Sequence, residues 1–333
     1  MDFTVLRTQT VRHGRETDSV NRRATLLFLS LGLAWGIPYL LIKVAVEELN
    51  PLTLVLARTS LAAVLLLPIA FARGAVLPVL RRWRPLLAYS VIEIVIPWLF
   101  LTRAEQHITS SLAGLLIAAV PFASVGVAVA FGRRERLGAL GLGGLLLGFA
   151  GVAFLVGVDV GGSQLGAVAE MAVVVLCYAT GAAILSKWMG DLPGIGVVAL
   201  SVAVASLVYA PFAIPALPSD LPSGKVVASV LLLAVVCTAA AFLLLFALVG
   251  EIGPVRATTI TYLNPVVAVI AGVLILDEHI TVWTIVGFAL ILAGCLGVAR
   301  SRRAPTAPAD EPRPLDVPAL PDVPAGAAVT MEA

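Results

Sequence analysis

The stretch from Leu231 to Leu248 reads LLLAVVCTAAAFLLLFAL and contains no charged residue. A helix needs about 20 mostly apolar residues to cross the hydrocarbon core of a bilayer. A strand of a membrane β-barrel would instead alternate apolar and polar residues over about ten positions. Because this stretch is apolar on every face, it predicts a transmembrane helix.

Similar apolar runs fill most of the chain. Its 333 residues are 60% hydrophobic and 13% charged, with a mean hydropathy of +1.03, whereas charged residues make up about 25% of a typical soluble domain. This composition excludes a soluble globular fold. Ten apolar runs lie at 25–46, 52–72, 85–103, 109–131, 138–158, 165–187, 194–215, 226–248, 256–276 and 281–299. The predicted fold class is therefore an all-α integral membrane protein with ten transmembrane helices.

The basic residues predict the orientation of these helices. With both termini in the cytoplasm, seventeen Lys and Arg residues fall in cytoplasmic segments and three, Lys43, Arg103 and Lys225, in the opposite loops. Cytoplasmic loops of membrane proteins carry such an excess of Lys and Arg. We therefore expect a multi-pass protein of the inner or plasma membrane, with residues 1–24 and 300–333 as cytoplasmic tails. The second tail is rich in proline and is expected to be disordered.

An internal repeat relates the two halves of the chain. Two triads with the same spacing lie 143 residues apart: Glu135, Gly144 and Gly151, and Glu278, Gly287 and Gly294. Further pairs at a shift of 143 or 144 residues are Trp35 with Tyr178, Lys43 with Lys187, Pro68 with Pro211, and Pro121 with Pro265. Because each copy has an odd number of helices, the two copies insert in opposite orientations. We therefore predict two inverted five-helix repeats, at residues 25–158 and 165–299, an architecture that underlies alternating access in secondary transporters.

Short motifs occur in the same order in both halves. The first half contains Ala34-Trp35-Gly36, Lys43, Pro51, Arg58, Ser111-Leu112-Ala113, Pro121 and Glu135, and the second contains Thr258 to Pro265, Leu276-Asp277-Glu278, Gly287 and Gly294. Over about residues 27–299, these motifs resemble the EamA type of the drug/metabolite transporter superfamily. The resemblance implies a ten-helix exporter of metabolites, amino acids or toxic compounds, with a central cavity between the halves. The polar stretch that contains Glu93, Arg103, Glu105 and His107 departs from the family pattern.

Two charged side chains fall inside predicted transmembrane helices. Glu93 lies near the middle of the third helix, where a carboxylate costs about 2.5 to 3.5 kcal/mol to insert. It must therefore face the protein interior, either as a site for proton coupling or a substrate amine, or as a structural partner of Arg58 or Arg103. Arg58 lies about two turns into the second helix and stays charged. It either binds a substrate carboxylate or locks helices together.

Lys43 and four aromatic side chains are further candidates for the site. Lys43 ends the first helix, and its long side chain either reaches the membrane interface or forms part of a gate. Trp35 and Tyr39 are four residues apart and share a helix face, and Tyr178 and Tyr262 lie in the second half. These rings would stack on an apolar or cationic substrate, although ordinary packing explains them equally well.

Prolines are expected to interrupt helices at related places. Pro38 lies within the first helix, and Pro121 and Asn264-Pro265 lie in the fourth helix of each copy. Proline lacks the amide that a helix needs to continue its hydrogen bonds. Broken helices at equivalent positions of two repeats indicate a binding site near the bilayer midplane. We therefore expect these prolines to lie near the site and Asn264 to line it.

Two glutamates and several glycines are expected to have structural roles. Glu135 and Glu278 each precede the last helix of a copy, and we expect each to cap the start of that helix. Small residues allow close contact between membrane helices. Such contact is expected at Gly144, Gly148, Gly151, Gly287 and Gly294.

The sequence thus predicts a secondary carrier, with export of small metabolites as its expected direction. It contains no nucleotide-binding loop, zinc motif or hydrolase triad, so we expect no enzymatic activity, no cofactor and no metal, and a gradient as the energy source. The expected partners are a small-molecule substrate, protons as a candidate coupling ion and the lipid bilayer, without nucleic acid. The oligomeric state is left open between monomer and homodimer. Two alternatives are a membrane enzyme acting on lipid-linked substrates and a channel or scaffold.

Overall fold

The computed structural model describes residues 22–132, 138–159 and 164–302, and every regular element in these ranges is a helix. Ten long helices, named α1 to α10, run in order at Arg22–Ala45, Pro51–Ala72, Trp83–Ala104, Ser110–Ala130, Ala139–Asp159, Leu165–Trp188, Gly194–Ala213, Gly224–Ile252, Thr259–Leu276 and Val282–Arg302. Short helices lie between them at Val76–Leu80 and Pro254–Ala257. Nine of these described helices are long and apolar enough to cross a membrane, and α10 contains the shorter apolar segment Val282–Val298. The predicted all-helical membrane fold is confirmed. Most of the two predicted tails, residues 1–21 and 303–333, lies outside the described residues.

Capping residues determine where the membrane helices begin. The Asn50 side chain accepts a hydrogen bond from the Leu52 amide at 2.9 Å, and Pro51 occupies the first position of α2. The Thr109 hydroxyl accepts one from the Leu112 amide at 3.2 Å at the start of α4. Such side chains satisfy amides that the first helical turn leaves unpaired. These caps therefore allow α2 and α4 to begin directly after short connections.

The helices pair as two inverted repeats require. α2 packs along α7, and α5 packs along α10, so each of these helices contacts its counterpart from the other repeat. α1 packs along α8, and α3 packs along α6. In both of these pairs, the first helix of one repeat contacts the third helix of the other. A pseudo-two-fold axis between two five-helix repeats maps the pair α1–α8 onto the pair α6–α3. The contacts therefore agree with the predicted architecture.

Glycines set the distance between α5 and α10. A Cβ atom at Gly144 would lie 2.7 Å from the carbonyl oxygen of Gly294, and one at Gly151 would lie 2.8 Å from that of Gly287. Backbones approach this closely only where side chains are absent. The predicted close contact is confirmed for these glycines. Gly148 shares it, since a Cβ atom at Gly294 would lie 2.6 Å from the Gly148 amide nitrogen, and Gly148 also packs against Phe122 of α4.

Large apolar side chains cover the outside of the bundle. Leu231 and Leu232 of α8, for example, are 47% and 42% exposed. Soluble monomers rarely expose wide apolar surfaces, whereas lipid chains cover such a surface without cost. The exposed leucines therefore identify the faces that contact the bilayer.

Three helices are interrupted at or before a proline. α1 is broken at Ile37, directly before Pro38. α4 is broken at residues 118–119, before Pro121. α9 opens with a 3-10 segment at Thr258–Tyr262 and becomes α-helical before Pro265. The interruptions of α4 and α9 thus occupy equivalent positions in the two repeats.

Candidate functional site

Arg58 of α2 lies in the interior of the bundle and is 8% exposed. Its Nε atom donates a hydrogen bond to the Thr238 hydroxyl of α8 at 3.0 Å. Its guanidinium carbon lies 3.7 Å from the centre of the Trp98 ring of α3. A planar, weakly hydrated guanidinium stacks favourably on an aromatic face. Arg58 therefore connects three helices, and the hydrogen bond to Thr238 uses one of its five N–H donors.

Glu93 of α3 lies against Gly181 of α6. A Cβ atom at Gly181 would overlap the Oε2 atom of Glu93, so glycine leaves the space that the carboxylate occupies. This Oε2 atom is buried and has no hydrogen-bond partner among the described residues. The anticipated ion pair with Arg103 is absent from this part of the chain, because Arg103 contacts Glu170 of α6 at 3.0 Å. A pair of Glu93 with Arg58 is likewise absent among the described ion pairs.

Glu93 and Thr238 occupy matching positions in two π-helical segments. These segments are Ser90–Val95 in α3 and Val235–Ala240 in α8. Each of the two residues is the fourth of its segment. A π-helical turn frees a backbone carbonyl and is frequent at functional sites. In α3, the Tyr209 hydroxyl of α7 donates a hydrogen bond to the Val95 carbonyl, which stabilises the widened turn.

Tyr39 of α1 and Tyr178 of α6 lie next to Arg58. Tyr39 is 7% exposed and Tyr178 is half-buried. Both hydroxyls interact electrostatically with Arg58, and Tyr178 also interacts with Glu93. The structure therefore brings four of the predicted site residues together. We call the whole group the central cluster, which comprises Tyr39, Arg58, Glu93, Trp98, Tyr178 and Thr238.

Three other predicted residues lie outside the central cluster. Trp35 packs edge-on against Phe242 of α8, with 5.8 Å between ring centres, and belongs to a different apolar cluster from Tyr39. The break in α1 between Trp35 and Tyr39 separates the two faces. Tyr262 packs with residues of α4, α5 and α10. The Oδ1 atom of Asn264 is buried without a hydrogen-bond partner among the described residues.

Lys43 holds the turn between α3 and α4. Its Nζ atom donates hydrogen bonds to the carbonyl oxygens of Glu105 at 2.7 Å and Ile108 at 2.8 Å. Carbonyls at the end of a helix lack partners within the helix and carry partial negative charge. The ammonium group therefore stabilises this turn. A gate role for Lys43 stays a prediction.

Glu105 is the first residue after α3, and its side chain is fully buried, with an exposure of 0%. Neither carboxylate oxygen has a hydrogen-bond partner among the described residues. Burial raises the pKa of this carboxyl well above its usual range, and Lys43 opposes that shift. Glu105 falls between the third and fourth apolar runs of the sequence, in a connection where a carboxylate is normally hydrated. The structure instead makes it part of the interior.

Glu278 lies between α9 and α10 and caps a helix of the other repeat. Its carboxylate accepts hydrogen bonds from the Ser110 amide at 2.7 Å, the Ser111 amide at 3.0 Å and the Ser111 hydroxyl at 2.5 Å. These serines begin α4, so the predicted cap on α10 is wrong for Glu278. Gly272 leaves room for the contact, since a Cβ atom there would overlap Glu278 and Ser111. Glu135 lies outside the described residues.

The sequence did not identify three of these residues as site candidates. They are Trp98 and Thr238 of the central cluster and Glu105 of the α3–α4 turn. Thr238 offered a signal, because it is the one residue with a hydroxyl side chain in the apolar stretch Leu231–Leu248. Trp98 follows Glu93 by five residues, a spacing that matches a π-helical turn and not an α-helical one. The sequence around Glu105 does not indicate that this residue is buried, because its burial depends on how the α3–α4 turn packs.

Comparison with known proteins identifies transporters. A family model described as the EamA-like transporter family matches residues 22–157 and 166–300. The chain is 27% identical to the uncharacterized transporter YvbV of Bacillus subtilis strain 168, over 84% of this chain and 93% of that protein. It is 30% identical to the uncharacterized inner membrane transporter YedA of Escherichia coli K12, over 73% of this chain and 79% of that protein.

A solved structure supports the fold. A crystal structure of a protein that is 22% identical in sequence superposes with a TM-score of 0.62 and covers 84% of this chain and 98% of the other. At this level of identity, the similarity concerns the arrangement of helices. The relatives and the family model therefore supply the information on function.

Proposed function

Because the chain belongs to the EamA-like transporter family and is thus a multi-pass membrane transporter of small molecules, we propose that it is a secondary carrier exporting small amphipathic metabolites. Amino acids are the proposed substrates, and protons are the proposed coupling ion. One observation carries this proposal. Within one aromatic cluster, the structure holds a buried guanidinium, that of Arg58, and a buried carboxylate oxygen without a described partner, that of Glu93.

The two charges suit a zwitterion. A substrate carboxylate would bind the N–H donors of Arg58 other than the Nε–H that bonds to Thr238, since a guanidinium prefers planar, two-point contacts. A substrate ammonium would bind Glu93, whose carboxylate lies on the neighbouring helix α3. The rings of Tyr39 and Tyr178 would cover the apolar part of the ligand. Ionisable residues inside a membrane protein commonly mark such substrate pathways.

Glu93 also provides a way to couple transport to protons. A carboxylate buried without a partner is costly to keep charged, so it requires either a proton or a cationic ligand. A proton and a substrate ammonium would compete for the same oxygen atoms. Exchange of one for the other on opposite sides of the membrane would let protons that enter down their gradient drive export of the substrate.

The position of the central cluster between the repeats supports a proposal of alternating access. Its residues come from α1, α2 and α3 of the first repeat and from α6 and α8 of the second. The exchanged pairs, α1 with α8 and α3 with α6, can adopt two equivalent arrangements in an inverted repeat. Each arrangement would open the cluster to one side of the membrane.

Counterflow in liposomes tests the proposal. The purified protein is reconstituted, the vesicles are loaded with an unlabelled amino acid, and uptake of the same labelled amino acid is measured for a panel of all twenty. We expect saturable uptake that requires the internal amino acid. Steady ion currents without saturable counterflow of any amino acid would instead indicate a channel and refute the carrier.

A further inference from the structure

The end of the bundle that contains the α3–α4 turn is closed by contacts between the two repeats. Glu278 of the second repeat accepts three hydrogen bonds from Ser110 and Ser111 at the start of α4. We call this contact the latch. Ser110 and Ser111 are 0% and 4% exposed, so the latch excludes water from the start of α4.

Glu105 lies beside the latch and is not used by the proposed substrate site. It is fully buried, and both of its carboxylate oxygens lack hydrogen-bond partners among the described residues. Lys43 binds the backbone carbonyl of Glu105 and not its carboxylate. Among the described residues, the Glu105 side chain therefore forms no ion pair.

Four charged or titratable groups face Glu105 from the elements around it. Lys43 and Tyr39 belong to α1, Arg58 belongs to α2, and Glu278 belongs to the α9–α10 connection. Lys43 and Arg58 favour the ionised carboxyl, and Glu278 disfavours it. Burial is the largest influence and outweighs both cations. An ionised carboxylate in this position would be fully buried without an ion pair among the described residues, which is strongly unfavourable.

We propose that Glu105 is a proton-binding site that keeps the α3–α4 end of the bundle closed. In the closed arrangement, the carboxyl group holds a proton. When the latch opens and water enters, the proton passes to water and the hydrated carboxylate forms. Closing requires a proton to be taken up again. This inference rests on the proposed carrier function and adds a second proton site to it, at the gate and separate from Glu93.

The sign of the pH effect follows from the raised pKa of Glu105. The closed arrangement is favoured at low pH, and its advantage is lost as pH rises through the pKa of the buried carboxyl. One proton changes such an equilibrium by at most about tenfold per pH unit. Charge distribution predicts that this end faces outward. External protons would then close the outer gate, which is the direction that export in exchange for protons requires.

Cysteine labelling tests the proposal without any transport substrate. Ile108 is 1% exposed and lies in the closed turn, whereas Gln106 in the same turn is exposed. Ile108→Cys and Gln106→Cys are each introduced into the full-length protein in lipid nanodiscs. Reaction with a membrane-impermeant maleimide is then timed at pH 6 and pH 8. The three natural cysteines are buried, so the parent protein serves as the blank.

The measured quantity is the ratio of the Ile108→Cys rates at pH 8 and pH 6, divided by the same ratio for Gln106→Cys. This division removes the intrinsic pH dependence of thiol reactivity. We expect a ratio of about tenfold or more for native Glu105, since one proton is released on opening. With Glu105→Gln, the end stays closed and the ratio falls to about one, because no ionisation can occur.

Glu47→Gln is the matched control. Glu47 is an exposed carboxylate at the same end, paired with Lys225, and its loss should leave the ratio unchanged. If Glu105→Gln aggregates, Glu105→Met replaces it, because methionine has similar size and cannot ionise. A ratio in these variants equal to that of the parent would overturn the proposal. Failure of amino acid counterflow with an intact pH ratio would instead refute the carrier and leave the Glu105 site standing.

Discussion

At the scale of single residues, the central cluster contains two charged side chains that do not form an ion pair with each other. Arg58 is satisfied by a hydroxyl and an aromatic face, and Glu93 has a buried oxygen without a described partner. Charges within membrane helices are rare and commonly functional. The difference between the two predicts different consequences of their removal: loss of Arg58 should lower stability in addition to weakening substrate binding, whereas loss of Glu93 should affect transport more than stability.

Replacement of Glu93 should change transport more than stability. Glu93→Gln keeps the shape of the side chain but removes the ionisable group. We expect the counterflow rate of the best amino acid to fall about tenfold or more, the effect of losing a proton-transferring group. Its dependence on pH between 6 and 8 should also flatten. Glu47→Gln, which removes only an exposed ion pair, should retain the parental pH profile. Equal profiles for parent and Glu93→Gln would exclude a coupling role.

Replacement of Arg58 by lysine should destabilise the bundle although the charge is kept. An ammonium cannot stack on Trp98 or reproduce the Nε contact with Thr238. Loss of a hydrogen bond from a charged group costs about 1.5 to 3 kcal/mol, so thermal unfolding in detergent should occur at a clearly lower temperature. Arg103→Lys is the control, because Arg103 forms a half-exposed ion pair with Glu170. Such pairs contribute about 0 to 1 kcal/mol, and similar losses in both variants would contradict the role of Arg58.

At the scale of helices, the irregular segments determine where polar groups meet. The π-helical segments of α3 and α8 place Glu93 and Thr238 at matching positions. In α3, Pro97 lacks an amide that would bond to the carbonyl four residues earlier, and this accounts for the widened turn. α8 has no proline there, and the Thr238 hydroxyl bonds to the Leu233 carbonyl instead. Similar geometry thus arises from two different local causes.

The α5–α10 contact provides a test at the scale of helix packing. Gly144→Ala places a methyl group 2.7 Å from the backbone carbonyl of Gly294, which cannot move aside as a flexible side chain would. Overpacking of this kind costs about 1 to 3 kcal/mol, so the thermal unfolding temperature should fall.

Gly143 provides the adjacent control for this prediction. A Cβ atom at Gly143 meets nothing within 4 Å, and alanine has a higher helix propensity than glycine by up to about 1 kcal/mol. Gly143→Ala should therefore be neutral or slightly stabilising. Equal destabilisation by Gly143→Ala and Gly144→Ala would show that the close contact between α5 and α10 is not the cause.

At the scale of the whole molecule, the inverted repeat brings charges from distant parts of the sequence together. The latch joins Glu278 to residues 167 and 168 positions earlier, and Arg58 contacts a hydroxyl 180 positions later. Both contacts cross from one repeat to the other. Motion of one repeat against the other would therefore change the surroundings of the latch and of the central cluster together.

The orientation in the membrane is a prediction at this scale. Seventeen basic residues against three predict that both termini are cytoplasmic. A fluorescent protein fused after Ala333 should therefore fluoresce in bacterial cells. Alkaline phosphatase inserted after His279, in the α9–α10 connection, should be active because that loop would face the periplasm. Phosphatase activity from a fusion after Ala333 would reverse the orientation, and with it the outward position of Glu105.

Apolar runs, the distribution of charges and the spacing repeated at a shift of 143 residues determined the membrane class, the ten helices and the two-copy architecture. These properties are encoded locally. Each transmembrane helix needs about 20 apolar residues within its own sequence, and the motif residues of each repeat are visible at the same spacing along the chain. The expected helix interruptions near Pro38, Pro121 and Pro265 match the breaks in α1, α4 and α9. The roles of these prolines in a binding site stay predictions.

Only the tertiary structure decided which polar groups meet. From sequence, Trp35 and Tyr39 share a helix face, yet the break at Ile37 turns them to different clusters. Glu278 precedes α10 in the chain but caps α4, because packing of α9 against α4 brings the two together. The run of apolar residues at Leu231–Leu248 identified a helix, and the neighbours of that helix made its single threonine the partner of Arg58. Contacts of this kind depend on separations of more than 160 residues, and no local pattern encodes them.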